Sequence, residues 1–235
     1  NTVTLDRTVN VVLTLPVSTS KLNDTGITWS GNYPSGNNAT CVGTEVDKQD
    51  CSHGRDAQAA AGTLTKIGAG AAGFDFTKLD SSGNTLPASA SSWSCVKDNH
   101  TGLIWEAKTT DGGIHDASNT YRWGGLTAQG RDHASTGIYY DDWNTLIEGS
   151  NNNSLCGLNS GWRVPNRYEL RSIVHLGYSP KIDGGYFPMM ASFVWSSSLD
   201  AGYPPHAWGI NFRYGRTYDL GRDMYQQVKL VRSGQ

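Results

Sequence analysis

Short apolar runs separated by turn residues dominate the second half of the chain. Aromatic and β-branched residues fill these runs, while Gly, Asn, Asp and Ser lie between them, as in strands joined by tight turns. Residues 98–102 separate the first two runs and predict a hairpin turn with Gly102 in a left-handed conformation. The pattern predicts strands at residues 93–97, 103–106, 193–196, 207–212 and 228–232.

Two segments between these strands have helical spacing. Residues 141–147 begin with two acids and then place apolar side chains at i, i+3 and i+4, which predicts a short helix. A second helix follows Asn166, because Asn166 and Glu169 can form a capping box, and we expect it to continue to Gly177. Two helices enclosed by antiparallel strands, with the first and last strands free to pair, predict an α+β domain.

The first 92 residues are less regular. Residues 2–15 are rich in β-branched residues and predict one or two strands, whereas residues 21–62 are mostly loop. A stretch of small residues at 57–73 precedes a short alternating strand at 74–79. We interpret residues 1–92 as a loop- and strand-rich N-terminal extension packed on a main domain at residues 93–235.

Composition narrows the class of protein. Charged residues make up 17% of the 235 residues, against about 25% in typical soluble domains. Gly, Ser, Thr, Asn, Trp and Tyr take their place, a mixture common in extracellular binding proteins. The net charge of −2 argues against nucleic-acid binding, and no apolar run reaches the length of a membrane span.

The four cysteines suggest disulfides. None lies in a C-x-x-C motif or at zinc-ligand spacing, and three pairings are conceivable. We favour Cys41–Cys51, which closes a short loop worth about 3 kcal/mol, and Cys95–Cys156, which closes a longer one worth about 4 kcal/mol in the chain-entropy model. Two disulfides imply an oxidising compartment, and the alternative is four reduced, buried thiols.

A set of motifs spread over residues 93–232 resembles a known family when order and spacing are taken together. The motifs are Trp93-Ser94-Cys95-Val96-Lys97-Asp98-Asn99, Thr101-Gly102-Leu103-Ile104-Trp105-Glu106, Cys156-Gly157-Leu158, Gly161-Trp162-Arg163-Val164-Pro165, Glu169-Leu170, Tyr186-Phe187-Pro188, Val194-Trp195-Ser196-Ser197-Ser198, Ala207-Trp208, Asn211-Phe212 and Val228-Lys229-Leu230-Val231-Arg232. The chain resembles the Lcl C-terminal domain family of bacterial surface and secreted proteins. The resemblance implies a C-type-lectin-like fold for residues 93–235, a binding function and a Cys95–Cys156 pair.

The strongest candidate for a binding surface is the segment of residues 203–225. Alternation along its first strand places Trp208, Ile210 and Phe212 on one face, which we assign to the core, with Trp208 the doubtful member. The other side chains are of the kinds that binding loops use. The candidate ligand-binding residues are Tyr203, His206, Asn211, Arg213, Tyr214, Arg216, Tyr218, Asp219, Arg222, Asp223 and Tyr225.

The charge of this end of the chain favours acidic ligands. Over residues 203–235, four arginines and one lysine oppose two aspartates, a net charge of +3. An anionic or sulfated glycan, or an acidic protein face, is therefore the preferred ligand. The alternative is a solvated pair of polar strands with no ligand.

Calcium is the one candidate cofactor, because hard oxygen ligands are plentiful. No spacing matches an EF-hand, and the Glu-Pro-Asn and Trp-Asn-Asp motifs of sugar-binding C-type lectins are absent. The alternative is that these acids cap turns and helices. The candidate calcium ligands are Asp98, Asn99, Asp111, Asp116, Asp132, Asp141 and Asp142.

Enzyme chemistry has little support in the sequence. No Gly-x-Ser-x-Gly or His-Glu-x-x-His motif occurs, and the six histidines show no ligand spacing. Formylglycine-generating-type oxidases of the same fold family use paired cysteines, whereas Cys95 and Cys156 lie beside structural motifs. We therefore expect a binding protein and not an enzyme.

The sequence thus predicts an extracellular or bacterial-surface adhesin that binds a glycan or a protein receptor on another cell or surface through residues 203–225. The pattern is compatible with an oligomer. One alternative is a variable receptor-binding protein of a diversity-generating retroelement, since some family members look like such proteins. A second is a structural or tip subunit of a pilus or surface filament, in which residues 1–15 would pair with a partner.

Overall fold

A computed structural model describes residues 22–32, 35–41, 49–124, 143–190 and 192–234. These residues form a mixed α+β structure, as predicted. The predicted strands at 2–15 lie outside the described residues, and so does the pairing that the filament alternative requires.

The strands are β1 (Ser30–Gly31), β2 (Asn37–Asn38), β3 (Phe76–Leu79), β4 (Thr85–Leu86), β5 (Cys95–Asp98), β6 (Leu103–Glu106), β7 (Phe193–Leu199), β8 (His206–Asn211), β9 (Arg216–Gly221), β10 (Gln227–Val228) and β11 (Val231–Ser233). The helices are α1 (Gly54–Ala60), α2 (Asn144–Asn152) and α3 (Arg167–Arg171).

Two sheets form the centre of the described structure. A five-stranded antiparallel sheet has the order β11-β6-β5-β3-β4, and a four-stranded sheet has the order β10-β7-β8-β9, in which β10 runs parallel to β7. The small β1–β2 pair lies apart from both. Residues 76–86 thus contribute β3 and β4 to the larger sheet, while a domain boundary at residue 92 stays a prediction.

The hairpin prediction is confirmed, two strand predictions need correction, and one strand was not predicted. Gly102 has a φ of 78° at the end of the β5–β6 turn. All four residues of β3 are buried, so the predicted alternation is wrong, because core packs against both faces of this strand. The predicted strand at 228–232 is divided between β10 and β11, which lie in different sheets. Strand β9 was not predicted, because a polar edge strand lacks an apolar run.

Helix α3 begins where predicted but ends earlier, and α2 begins at Asn144 instead of residue 141. Residues 141 and 142 themselves lie outside the described residues. Asn166 accepts the backbone N–H groups of Tyr168 and Glu169, and Glu169 accepts that of Asn166, so the capping box forms in full. The helix nevertheless ends at Arg171 and not at Gly177. The turns that follow it bond to a distant segment instead, because the Leu176 N–H donates to the Thr25 carbonyl at 2.8 Å. Helix α2 extends beyond its predicted end, and α1 lies where a loop was expected.

Core side chains pack on both faces of the four-stranded sheet. Helix α3 places Leu170 against Val194 and Ile210, in a cluster that also holds Trp105. On the opposite face, Trp195 packs in a cluster of aromatic and aliphatic residues from α2 and the loop before it: Trp123, Trp143 and Leu146, with Ala207 of β8. The sheet is therefore enclosed by one helix on each side.

Both predicted disulfides are confirmed. Cys41 pairs with Cys51 across a loop, and Cys95 of β5 pairs with Cys156 in the turn that follows α2. No cysteine is free. The second bond ties the α2 region to the larger sheet, which sets the position of the chain entering α3.

A buried carboxylate joins the end of β6 to the C-terminal strands. Glu106 is fully buried, and its Oε1 lies 2.8 Å from both Lys108 Nζ and His115 Nδ1. Its Oε2 accepts the Leu230 N–H at 2.7 Å, and Lys229 Nζ donates to the Glu106 carbonyl. Burial opposes the charge, but Lys108, His115 and Lys229 outweigh it and hold the pKa of Glu106 at about 2.

We predict that Glu106→Gln lowers the free energy of unfolding by about 3–5 kcal/mol, because it leaves buried cations without their carboxylate. Glu148→Gln, an exposed change on α2, is the matched control and should leave stability nearly unchanged. Because the folded pKa is depressed, the stabilisation by Glu106 is present above pH ~4.5 and is lost as pH falls toward 2. Denaturant unfolding at pH 7 and pH 3 measures both effects. Equal stability of the two variants would contradict this role.

His175 joins the segment before β3 to the turns that follow α3. Its imidazole is buried and stacks between Phe74 and Tyr178, with ring centroids 4.8 Å and 4.2 Å away. Neither ring nitrogen has a hydrogen-bond partner among the described residues. Burial lowers the pKa of His175, opposed by the nearby charge of Asp183, while Lys181 adds to the lowering. The neutral ring therefore suits this contact, and the protonated ring does not.

We predict that this contact weakens in mild acid. Since the folded pKa of His175 is depressed, its stabilisation is complete above the unfolded value of about 6.5 and is lost as pH falls through the folded pKa. His175→Phe keeps a stacked ring that does not titrate, so its stability should fall less than that of the wild type between pH 7.5 and pH 5. Thermal unfolding measures this, with His53→Phe, an exposed site, as the control. Parallel curves for His175→Phe and the wild type would refute it.

Candidate functional site

The predicted binding residues lie at two ends of the β8–β9 hairpin. One group lies where β7 turns into β8 and where β9 ends: Tyr203, His206, Asp219, Arg222, Asp223 and Tyr225. The other lies at the β8–β9 turn: Asn211, Arg213, Tyr214 and Arg216. Antiparallel strands rise about 3.4 Å per residue, so the length of β8 separates the two ends by roughly 17 Å.

The first group is built around a hydrogen bond between a histidine and an aspartate. His206 Nδ1 lies 2.7 Å from Asp219 Oδ2, and this hydrogen bond lowers the pKa of the Asp219 carboxyl. The Tyr203 ring meets the His206 ring edge to face, with centroids 4.5 Å apart. Arg222 N–H donates to the Pro205 carbonyl at 3.0 Å, which closes this end of the hairpin. The Tyr225 ring, further along, packs under Arg122 at 4.7 Å.

The second group is set by the β8–β9 turn. Asn211 Oδ1 accepts the Arg213 N–H at 3.0 Å, which fixes the start of the turn. The Arg213 guanidinium lies 5.4 Å from the exposed ring of Tyr214. Arg216 is exposed and pairs with Asn211 in the strand register. This end presents two arginines and a tyrosine to solvent.

Register also divides the candidates between the two faces of the sheet. Tyr218 lies opposite Gly209, and Asp219 lies opposite Trp208, so Tyr218 and Asp219 point to different faces. Ile210 and Phe212 are buried, as predicted, whereas Trp208 is half-buried and lies under Arg167 at 5.4 Å. The candidates therefore do not form one concave pocket.

Part of the positive charge that favoured an acidic ligand is buried in the structure. Lys229 is fully buried and Arg232 is nearly so. Without these two, three arginines face two aspartates over residues 203–234, which leaves a net charge of +1. The +3 read from the sequence therefore overstates the charge that a ligand meets.

A groove beside the start of α3 was missed in the sequence. It holds about 930 Å³ between the β5–β6 turn, residues 99–103, and the α3 entrance, residues 163–172, with Ser233 and Gly234 also contributing to its lining. Tyr168 stands at this groove with 61% of its surface exposed. A tyrosine two residues after the helix N-cap was the available signal, but the capping pattern indicated scaffold alone.

The predicted calcium ligands mostly cap turns. Asp98 accepts the N–H groups of His100 and Thr101, and Asp111 and Asp116 accept backbone N–H groups of their own loop. Asn99 is bonded to Asp75 and Thr77. The remaining candidates, Asp132, Asp141 and Asp142, lie outside the described residues.

Three other acids, which the sequence analysis did not select, lie close together. Oxygen atoms of Asp24, Asp50 and Asp56 all lie within 4.8 Å of one another. Burial raises the pKa of Asp56, which nevertheless accepts the N–H groups of Gly26 and Gly73 at 2.7 Å and 2.6 Å. Carboxylate oxygens suit a hard cation such as calcium, and among the described residues these three are close enough together to hold one.

These features define a disulfide-bonded α+β domain with an aromatic, solvent-facing hairpin. The family model for the Lcl C-terminal domain matches residues 94–232, and the chain belongs to this family. No curated protein matches the sequence closely enough to count as a relative. Within the described residues, no helix is long and apolar enough to cross a membrane. Family membership and the two disulfides are consistent with a bacterial surface or secreted protein.

We predict that the His206–Asp219 hydrogen bond contributes little to stability, whereas the α3 cap contributes more. Asp219→Asn should lower the free energy of unfolding by less than about 1 kcal/mol, because the pair is solvent-exposed. Asn166→Ala removes the side chain that accepts two backbone N–H groups and should cost about 1 kcal/mol or more. Urea unfolding of both variants gives the comparison. A larger loss in Asp219→Asn would mean that the pair is structural.

Proposed function

We propose that this protein is an extracellular or surface-displayed adhesin that binds a glycan or a protein receptor through residues 203–225. The observation that carries the proposal is the display of aromatic rings on this segment. Six tyrosines are exposed in the described part of the chain, and four of them, Tyr203, Tyr214, Tyr218 and Tyr225, belong to it. Rigid rings of this kind give contact area at a low cost in entropy.

The paired strands that carry these rings favour a role in recognition. Strands β8 and β9 pair over six residues, and Ile210 and Ala207 anchor β8 in the core. The hairpin therefore holds its exposed side chains on a rigid base, which reduces the entropy lost on binding. The net charge of +1 that remains when the buried Lys229 and Arg232 are left out supports only a mild preference for anionic ligands.

We propose binding without covalent chemistry, on a C-type-lectin-like scaffold. Cys95 and Cys156 join strand β5 to the turn after α2, which supports a structural role for this pair. The sheet enclosed between α2 and α3 supports the scaffold assignment, together with the family membership. The retroelement alternative uses the same surface and stays a prediction.

The test is a binding screen of the full chain on glycan and protein-receptor arrays at two salt concentrations. The triple variant Tyr214→Ala, Arg216→Ala, Tyr218→Ala should abolish binding and leave the melting temperature nearly unchanged, because these side chains are exposed. Glu148→Ala, an exposed change on α2, is the control and should bind as the wild type does. Unaltered binding by the triple variant would exclude the β8–β9 turn as the contact, and unaltered binding by both this variant and the one described next would overturn the assignment to residues 203–225.

A second variant separates the two ends of the hairpin. Tyr203→Ala with His206→Ala removes the ring pair at the other end. Loss of binding in this variant alone would move the site to the β7–β8 turn. Loss in both would indicate a ligand long enough to span roughly 17 Å.

A further inference from the structure

The groove beside α3 has walls that are fixed before any ligand arrives. On one side, Asp98 caps the β5–β6 turn, and Asn23 bridges Asp98 and the Ser172 carbonyl at 2.5 Å and 3.2 Å. On the other side, the capping box holds Asn166 and Glu169. A volume of about 930 Å³ is within the range of small-ligand sites, roughly 300–1,000 Å³.

The polar groups in the groove are paired in a way that leaves donors for a ligand. Arg163 Nη1 and Nη2 donate to the two oxygens of Glu169 at 2.7 Å and 2.6 Å, which uses two of its five N–H donors. The other three N–H donors of the guanidinium have no side-chain or backbone partner among the described residues. The Arg163 side chain is 42% exposed. The groove thus offers Arg163 N–H groups already aligned by Glu169.

The charge of the groove is balanced. Among its lining residues, Arg163 and Glu169 carry formal charges and neutralise each other, while the others are polar or apolar, apart from the titratable His100. A phosphate or sulfate would have to compete with Glu169 for the guanidinium. Neutral acceptor oxygens can use the outward N–H groups without displacing it.

An exposed aromatic ring completes the site. Tyr168 is held in place by Arg167, whose Nη2 donates to the tyrosine hydroxyl at 2.8 Å and whose guanidinium lies 4.8 Å from the ring. The ring is thus oriented at the groove and remains open to solvent. A flat apolar face beside a set of N–H donors suits a molecule with C–H groups on one side and hydroxyls at its edge.

We propose that this groove is a binding site for a neutral oligosaccharide, separate from the surface at residues 203–225. The Tyr168 ring stacks on the face of one sugar ring. Arg163, aligned by Glu169, donates to its hydroxyl oxygens. The proposal goes beyond the adhesin function, since either site can bind without the other.

The probes are three neutral trisaccharides, chitotriose, cellotriose and maltotriose, with a heparin hexasaccharide as the anionic comparison. Saturation-transfer NMR and calorimetry on the full chain should detect at least one neutral probe with Kd below about 10 mM. Its affinity should change less than about twofold between 50 and 500 mM NaCl, because no charge is neutralised.

Tyr168→Ala should weaken this binding by about tenfold or more, with little change in melting temperature. Glu148→Ala, the exposed change on α2 outside both surfaces, is the control and should bind the neutral probe as the wild type does. Arg163→Lys keeps the charge but loses the planar fork, and it should also weaken binding.

Three results would overturn the proposal: no neutral probe binds, Tyr168→Ala binds as the wild type does, or only heparin binds with a steep loss in salt. The hairpin triple variant separates this proposal from the adhesin function, because it should lose receptor binding and keep the neutral trisaccharide.

Discussion

The fold depends on the burial of one carboxylate with its cations. Glu106 ends β6, yet its side chain accepts from Leu230 and its carbonyl accepts from Lys229, so it fixes where the chain leaves one sheet and enters the other. The apolar run at 228–232 cannot stay one strand, because Lys229 and Leu230 are committed to Glu106. A buried charge network thus specifies the geometry that hydrophobic patterning alone would leave as a single strand.

Most of the local structure could be predicted from the sequence, because its causes are local. The β5–β6 turn follows from Gly102, and the start of α3 follows from Asn166 and Glu169. The early end of α3 could not be predicted, since it depends on a contact with Thr25, some 150 residues away in the chain. The edge strand β9 was missed for a related reason: its polar residues pair with β8 and have no apolar period of their own.

The candidate site shows the same division between local and distant causes. Residue types marked 203–225 as a candidate binding surface, and four of its tyrosines are exposed, but composition does not give the strand register. The opposite faces of Tyr218 and Asp219 follow from pairing with β8, and the loss of surface charge follows from the burial of Lys229 and Arg232. The Asp24, Asp50 and Asp56 cluster is likewise assembled from separate loops, with no motif to mark it.

The position of β9 has a consequence for how this protein can change over generations. Among the described residues β9 pairs with β8 on one side, and it contributes no fully buried side chain. Substitutions along it therefore disturb little of the core, whereas substitutions in β7 or β8 alter packing on both faces of the sheet. The hairpin thus joins a strand with no fully buried side chain to one that is anchored in the core, so substitutions on β9 should cost the domain less stability than substitutions of the buried residues of β8.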